Sequence, residues 1–386
     1  MRRIRIVLPA IAAVVTLFVA VFAASTDWPA RAYRSGDFFG FWAASRAVIE
    51  GASPYDPVWF ADLARRSGAV FSSYRSVYPP WTAFALLPFG LLPFALASPA
   101  WLIGQLAVVG AAVLLLAQRM SARERPVFAT VVAFSQPLWL LVVGGNISGF
   151  LAGAVGGSFL AAAAGRPRLA GACFGLVALK PHPFLLVGLA AALAATARER
   201  RGFAVGALAT AGPLIGAALA LRPAWLGEWL GSASALQATT GSNATLWTVG
   251  RIVGAERSPL AAAAVIVAIT AWALWHRAVR PSLPLAIAGA VSVSLAVAPH
   301  GWSYDQLVLL VPLGIIFEAL PARPQPERSR RVVLVTLLAV TVPWALYALA
   351  FQRGGEEFSV VTPLLVFAAV VVLHRERVAP KVPQPA

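Results

Sequence analysis

The sequence predicts an all-α, polytopic membrane protein, and three observations carry that prediction. Of its 386 residues, 59% are hydrophobic and only 12% are charged, whereas a soluble domain is about half apolar and about a quarter charged. The apolar residues fall in repeated runs close to the length that crosses a bilayer as a helix. The basic residues sit in short clusters between those runs: Arg2, Arg3 and Arg5; 119–125; Arg166 and Arg168; 198–201; Arg277 and Arg280; 323–331; and 375–381. With the glutamates inside them, these clusters account for the whole net charge of +16. That is the positive-inside pattern, and it predicts cytoplasmic termini. It also argues against a nucleic-acid partner, which would draw the charge onto one accessible face. The lone Cys173 excludes an intrachain disulfide and any multi-cysteine metal site. A single integral-membrane domain over 1–386 is expected.

The elements follow in order. Residues 6–24 form the first span; the many later spans favour an uncleaved helix over a signal peptide. Residues 25–80 then make a long polar, aromatic-rich first external loop holding four of the five aspartates, Asp27, Asp37, Asp56 and Asp62. Within it, Gly36-Asp37-Phe38-Phe39 starts a short interfacial helix that Gly51 ends. Pro54 and Pro57 shape the next turn, and a second short helix is expected near 58–66. Residues 81–117 carry Pro88, Pro93 and Pro99 and read either as a hairpin or as one crossing after an interfacial segment; charge parity favours one crossing. A span over 127–143 leads to the turn Gly144-Gly145-Asn146-Ile147-Ser148, and 150–164 returns. Two short spans follow, broken at Leu179-Lys180-Pro181-His182-Pro183. Such a break is tolerated in a membrane where it lines a cavity. A span over 203–221 leads to a second external loop, 222–257, with Trp225, Trp229 and Trp247. Later spans surround the turn Pro299-His300-Gly301-Trp302-Ser303-Tyr304-Asp305. Parity gives about 12 crossings in all.

The first loop, the Asn146 turn, the Lys180 break and the His300 turn all fall on the predicted outer side. Asp37 reads as a general base that takes the proton of an attacking hydroxyl; its other reading is an N-cap for the helix it begins. Asp56, with Tyr55 and later Tyr78, reads as a structural or secondary candidate, Asp56 first as a turn residue. Lys180 is one of two lysines beside twenty-nine arginines. At membrane depth an ammonium needs a cavity or a partner, and a phosphate contact is one such role; interfacial snorkelling is the other. His182, His300, Arg75, Asn146, Tyr304 and Asp305 are further candidates for donor-phosphate or substrate contact. The four histidines form no close-spaced ligand motif, so neither a metal nor a cofactor is expected.

Several of these motifs, taken in order, resemble glycosyltransferase family 87. They are Asp37-Phe38 followed by Gly51 and Pro54-Tyr55; Tyr78-Pro79-Pro80 followed by Leu87-Pro88 and Leu92-Pro93; Leu179-Lys180-Pro181; and His300 with Tyr304-Asp305. The resemblance implies a glycosyltransferase C-type fold in a bacterial plasma membrane, with Asp37 as base and a polyprenyl-phosphate sugar, mannose foremost, as donor. It implies inverting transfer of a hexose to an extracytoplasmic glycolipid or polysaccharide, without a nucleotide-sugar at the site. Where family members often carry Gly-Gln-x-Asn, this chain has Gly145-Asn146-Ile147-Ser148. An arabinofuranosyltransferase using the same kind of donor, and a transporter or flippase for a lipid-linked sugar, are the competing readings.

Overall fold

The computed structural model describes residues 27–70, 75–194, 196–239, 243–253, 259–320 and 326–378. The expected first span, 6–24, lies outside them. Every regular element among the described residues is helical.

The first loop folds into a compact helical cap. Helix α1 spans Trp28–Tyr33, α2 Asp37–Ile49 and α3 Pro57–Arg66. α2 starts where Gly36 is extended, and α3 starts on Asp56, whose carboxylate accepts from the amides of Val58 at 2.8 Å and Trp59 at 3.4 Å. Pro57 at its first position suits a site where no amide donor is required. Helix α4, Pro80–Ala85, and the turn Leu87–Gly90 then lead into α5, Phe94–Ala117. The 81–117 segment is therefore one long helix preceded by short ones.

Helices α6, Glu124–Ala133, and α7, Gln136–Gly144, are bent by 44° at the break between them. Helix α8, Ser148–Ala163, runs back beside α5. Helix α9, Pro167–Gly175, passes through a tightened turn at Leu176–Leu179 to the break at Lys180, and α10, Leu185–Ala194, leaves it. Helix α11, Ala197–Leu221, packs closely on α9. A Cβ at Gly171 would collide with the carbonyl of Phe203, and one at Gly206 with that of Arg168. Small residues at such contacts let two membrane helices approach backbone to backbone.

The second long loop carries α12, Trp225–Thr239. Helices α13, Pro259–Val279, and α14, Leu283–Val297, follow. A tight helical segment, Ser303–Leu309, continues into α15, Leu310–Ala319. The last two elements are α16, Glu327–Arg353, interrupted by a widened turn at Leu337–Thr341, and α17, Val361–Val378.

Among the described residues, five helices are long and apolar enough to cross a membrane, and the bent α6–α7 pair makes a sixth candidate. Apolar side chains on α11, α13 and α16, among them Leu208, Ile266 and Leu334, face outward, which suits hydrocarbon rather than water. The core runs through α5, α8, α14 and α15, where Trp101, Leu151, Val291 and Val311 are buried.

Candidate active site

The site forms where the first-loop cap, the α7–α8 turn, the Lys180 break and the 299–305 turn meet at one end of the bundle. Close backbone packing makes the first of these junctions. A Cβ at Gly36 would sit 2.5 Å from the Gly144 carbonyl oxygen. Gly145 has φ +67 and lies against Phe38 and Tyr33, a left-handed conformation that glycine adopts without steric cost. The Tyr33 hydroxyl donates to the Val142 carbonyl at 3.0 Å, and the Trp101 indole donates to that of Gly145 at 2.8 Å. Gln105, buried on α5, donates its amide to the Asn146 carbonyl and accepts from the amides of Gly149 at 2.9 Å and Phe150 at 3.3 Å. The α7–α8 turn is thereby held from two sides.

Held this way, the turn presents Asn146 to Asp37. The Asn146 amide donates to the Asp37 carboxylate at 2.7 Å. Its oxygen accepts from the Ser148 amide at 3.0 Å and lies 2.6 Å from the Ser148 hydroxyl. That hydroxyl also reaches the Asp305 carboxylate at 2.8 Å. Asp305 in turn pairs with the Lys180 ammonium at 2.6 Å, both side chains 3% exposed. The ammonium also sits 5.1 Å from the centre of the Tyr304 ring. A continuous polar chain thus runs from Lys180 through Asp305, Ser148 and Asn146 to Asp37.

Asp37 is the first residue of α2, after the N-cap Gly36, so it does not occupy the capping position. Its carboxylate turns to Asn146, and the nearby Tyr304 hydroxyl favours its charged form. Loss of hydration raises its pKa above the ordinary carboxylate value, and the bonds from Asn146 and Tyr304 and the charge of Lys180 only partly offset this. Burial pushes Asp305 the same way, but the adjacent Lys180 ammonium, together with the Trp302 amide and the Ser148 hydroxyl, more than compensates and leaves Asp305 below the usual value. The two carboxylates therefore titrate apart: Asp305 is locked in an ion pair, while Asp37 is the more basic of the two.

The exposure pattern separates a floor from a rim. Lys180, Asp305, Asn146 and Ser148 are buried, whereas Asp37, Tyr78, Tyr304, His182 and His300 are partly open. Tyr78 shares the Asn146 side of the cluster and feels the Asp37 charge. The His182 and His300 rings lie 6.2 Å apart. Burial, then the Lys180 charge, lower the His300 pKa to about 4, so its imidazole is neutral near pH 7.

The Lys180 break is anchored from the first loop. The Trp81 indole donates to the Ala178 carbonyl at 2.7 Å and the Thr82 hydroxyl to that of Leu179 at 2.8 Å. The second loop closes on the same end. The Asn243 amide approaches His300 Nδ1 at 3.4 Å, the Ala244 amide donates to the Gly301 carbonyl at 2.7 Å, and α12 bonds to the carbonyls of Ser76 and Val77 through Ser232 and Trp229.

The structure thus brings Asp37, Asn146, Tyr78, Lys180, His182, His300, Tyr304 and Asp305 together, and leaves three candidates outside. Asp56 is an exposed helix cap. Tyr55 donates to the Tyr78 carbonyl at 2.6 Å and supports the backbone there. Arg75 is half-buried beside Ser76 with no described contact to the cluster. Sequence reading missed Ser148 and Gln105 as members of the network. Gln105 did leave a signal, since an amide inside a long apolar helix needs a partner. Among the described residues, no three His, Cys, Asp or Glu side chains gather as a metal-binding group.

No curated protein and no solved structure matches this chain. The family model for glycosyltransferase family 87 matches residues 77–299, more than half of the sequence.

Proposed function

The chain belongs to glycosyltransferase family 87, and from that premise we propose that it is an inverting hexosyltransferase with Asp37 as its base and a polyprenyl-phosphate sugar, mannose foremost, as donor. The observation that carries this reading is the state of Asp37. The residue is partly exposed, its carboxylate is raised in pKa by desolvation, it does not occupy the capping position of its helix, and Asn146 orients it. A base of this kind is most effective when its pKa is drawn towards the working pH.

The proposed reaction is a single displacement. The acceptor hydroxyl oxygen attacks the anomeric carbon as its proton passes to the Asp37 carboxylate. The bond from that carbon to the phosphate oxygen breaks, and polyprenyl phosphate leaves with the electron pair. Attack opposite the leaving group inverts the sugar carbon. The charge growing on the phosphate is met by the remaining Lys180 donors and by the rim histidines, His182 and His300. The acceptor is an extracytoplasmic glycolipid or polysaccharide. The proposed arrangement is a C-type fold of about 12 crossings, with cytoplasmic termini and the site on the outer side.

Reconstitution of wild type and Asp37→Asn with a panel of polyprenyl-phosphate sugars and membrane acceptors tests the proposal. Transfer by the wild type and its loss in a folded D37N are expected. Full transfer by D37N overturns the assignment of the base. Movement of the lipid-linked sugar across the membrane without transfer, unchanged in D37N, would make the protein a transporter. The phosphate contact is tested on the paired change Lys180→Met with Asp305→Asn, which leaves no buried charge unmatched; unchanged donor affinity there overturns it.

A further inference from the structure

A cavity of about 1190 Å³ lies away from the Asp37 site, lined by Arg166, Arg168, Arg198 and Arg201 with Glu199 as the one acid. Helix α8 begins in the active-site network at Ser148 and ends at Ala163, just before this cavity, so the length of that helix, roughly 24 Å, separates the two. From this cavity we infer a binding site for the phosphate of an anionic membrane phospholipid.

Four features support the inference. The first is uncompensated charge. None of the four arginines has an ion-pair partner among the described residues. By contrast, Arg119 pairs with Glu318 at 3.0 Å, Arg328 pairs with Glu124, and Arg331 with Glu327 at 2.7 Å. Glu199 offsets only one of the four charges, and its carboxylate accepts from the Thr196 amide at 2.8 Å in a capping box rather than pairing with an arginine.

The second feature is the direction of the helices. α9 and α11 both start at this cavity, at Pro167 and Ala197. Their positive ends add to the guanidinium charge, and the first turn of α9 carries no side-chain cap.

The third feature is rigidity. The cavity lies between two helices locked backbone to backbone through Gly171 and Gly206, so the arginines project from a fixed frame. Guanidinium forks bind phosphate oxygens in pairs, which favours them over lysines in this role.

The fourth feature selects a lipid over a free anion. α11 is one of the candidate spans, and its arginines occupy the first turns, where such a helix enters the membrane. Leu169 and Val205 adjoin the arginines in the same lining and are 48% and 49% exposed. An apolar wall beside a cationic pocket fits a phosphate that carries acyl chains. Inorganic phosphate would gain nothing from that wall.

The experiment follows thermal unfolding of the full chain in a neutral detergent with added phosphatidylglycerol, phosphatidylcholine or inorganic phosphate. It compares wild type, the fourfold variant R166Q/R168Q/R198Q/R201Q, the fourfold Arg→Lys variant, and Arg200→Gln. Arg200 belongs to the same basic run but lies outside the cavity lining. Phosphatidylglycerol is expected to raise the melting temperature of wild type and of R200Q, to do so less in the lysine variant, and not at all in the glutamine variant. Phosphatidylcholine is expected to leave all of them unchanged. The rise should shrink with added salt. Equal stabilisation by inorganic phosphate, lost in the glutamine variant, would overturn the lipid and assign the site to a free anion. A rise that persists in the glutamine variant, or one given equally by phosphatidylcholine, overturns the site. Loss of response in the glutamine variant is distinguished from unfolding when its melting temperature without lipid matches wild type, and the lysine variant, which keeps the charge, gives the intermediate response if it does not.

Discussion

Asp37 and Asp56 stand in the same loop, each at the start of a short helix, yet the fold uses them in different ways. Asp56 precedes Pro57, accepts from two amides of its own helix and faces outward. Asp37 follows a glycine that is pressed against Gly144 and holds the capping position in its place, and its carboxylate turns inward to Asn146. A carboxylate that satisfies its own helix contributes to stability locally. One that forgoes this and is held by groups more than a hundred residues away is positioned for something outside the helix. The local sequence around each is similar in kind; the difference lies in what the rest of the chain brings up to them.

Four experiments would break or sharpen that contrast. The largest effect is expected from Asp37→Asn, which should lower transfer at least ~100-fold while leaving the melting temperature near that of wild type; turnover assays and thermal unfolding on one preparation check both. Next, Asp305→Ala strands the buried Lys180 charge and should destabilise the protein by about 3–5 kcal/mol. Adding Lys180→Met should recover most of that loss, and unfolding of the single and double variants measures it. Asp56→Ala should cost ~1 kcal/mol through its lost cap and leave transfer unchanged; a large fall in turnover there would erase the distinction between the two aspartates.

The last prediction concerns pH. The base works as a carboxylate, so activity is expected to fall as pH drops through the Asp37 pKa, which burial has raised. Asn146 donates to the ionised form and lowers that pKa. Asn146→Ala should therefore move the acidic limb of kcat/KM to higher pH, and Tyr304→Phe should act in the same direction. A limb that stays in place in both variants would separate Asp37 from the titrating group.

The Gly145-Asn146-Ile147-Ser148 turn is where the network is joined. Asn146 and Ser148 contact Asp37 and Asp305. Sequence reading isolated Asn146 because a polar residue between two apolar spans was conspicuous. It passed over Ser148, since a serine in a turn has many ordinary uses and only its distance to Asp305 marks it. It also left Lys180 with a phosphate or an interface as its partner, because nothing in the spacing links a lysine to an aspartate 125 residues away.

By itself the sequence determined the helical class, the membrane character, two of the short helices of the first loop and the short list of polar residues that need a reason to lie among apolar spans. Those features follow from local rules: hydrophobic run length, charge between runs, and glycine and proline at the breaks. Which carboxylate caps, which one pairs with Lys180 and which one stays open was decided only in the tertiary structure. Each of those outcomes depends on how distant turns meet at one end of the bundle, and burial and hydrogen-bond geometry exist only once they do.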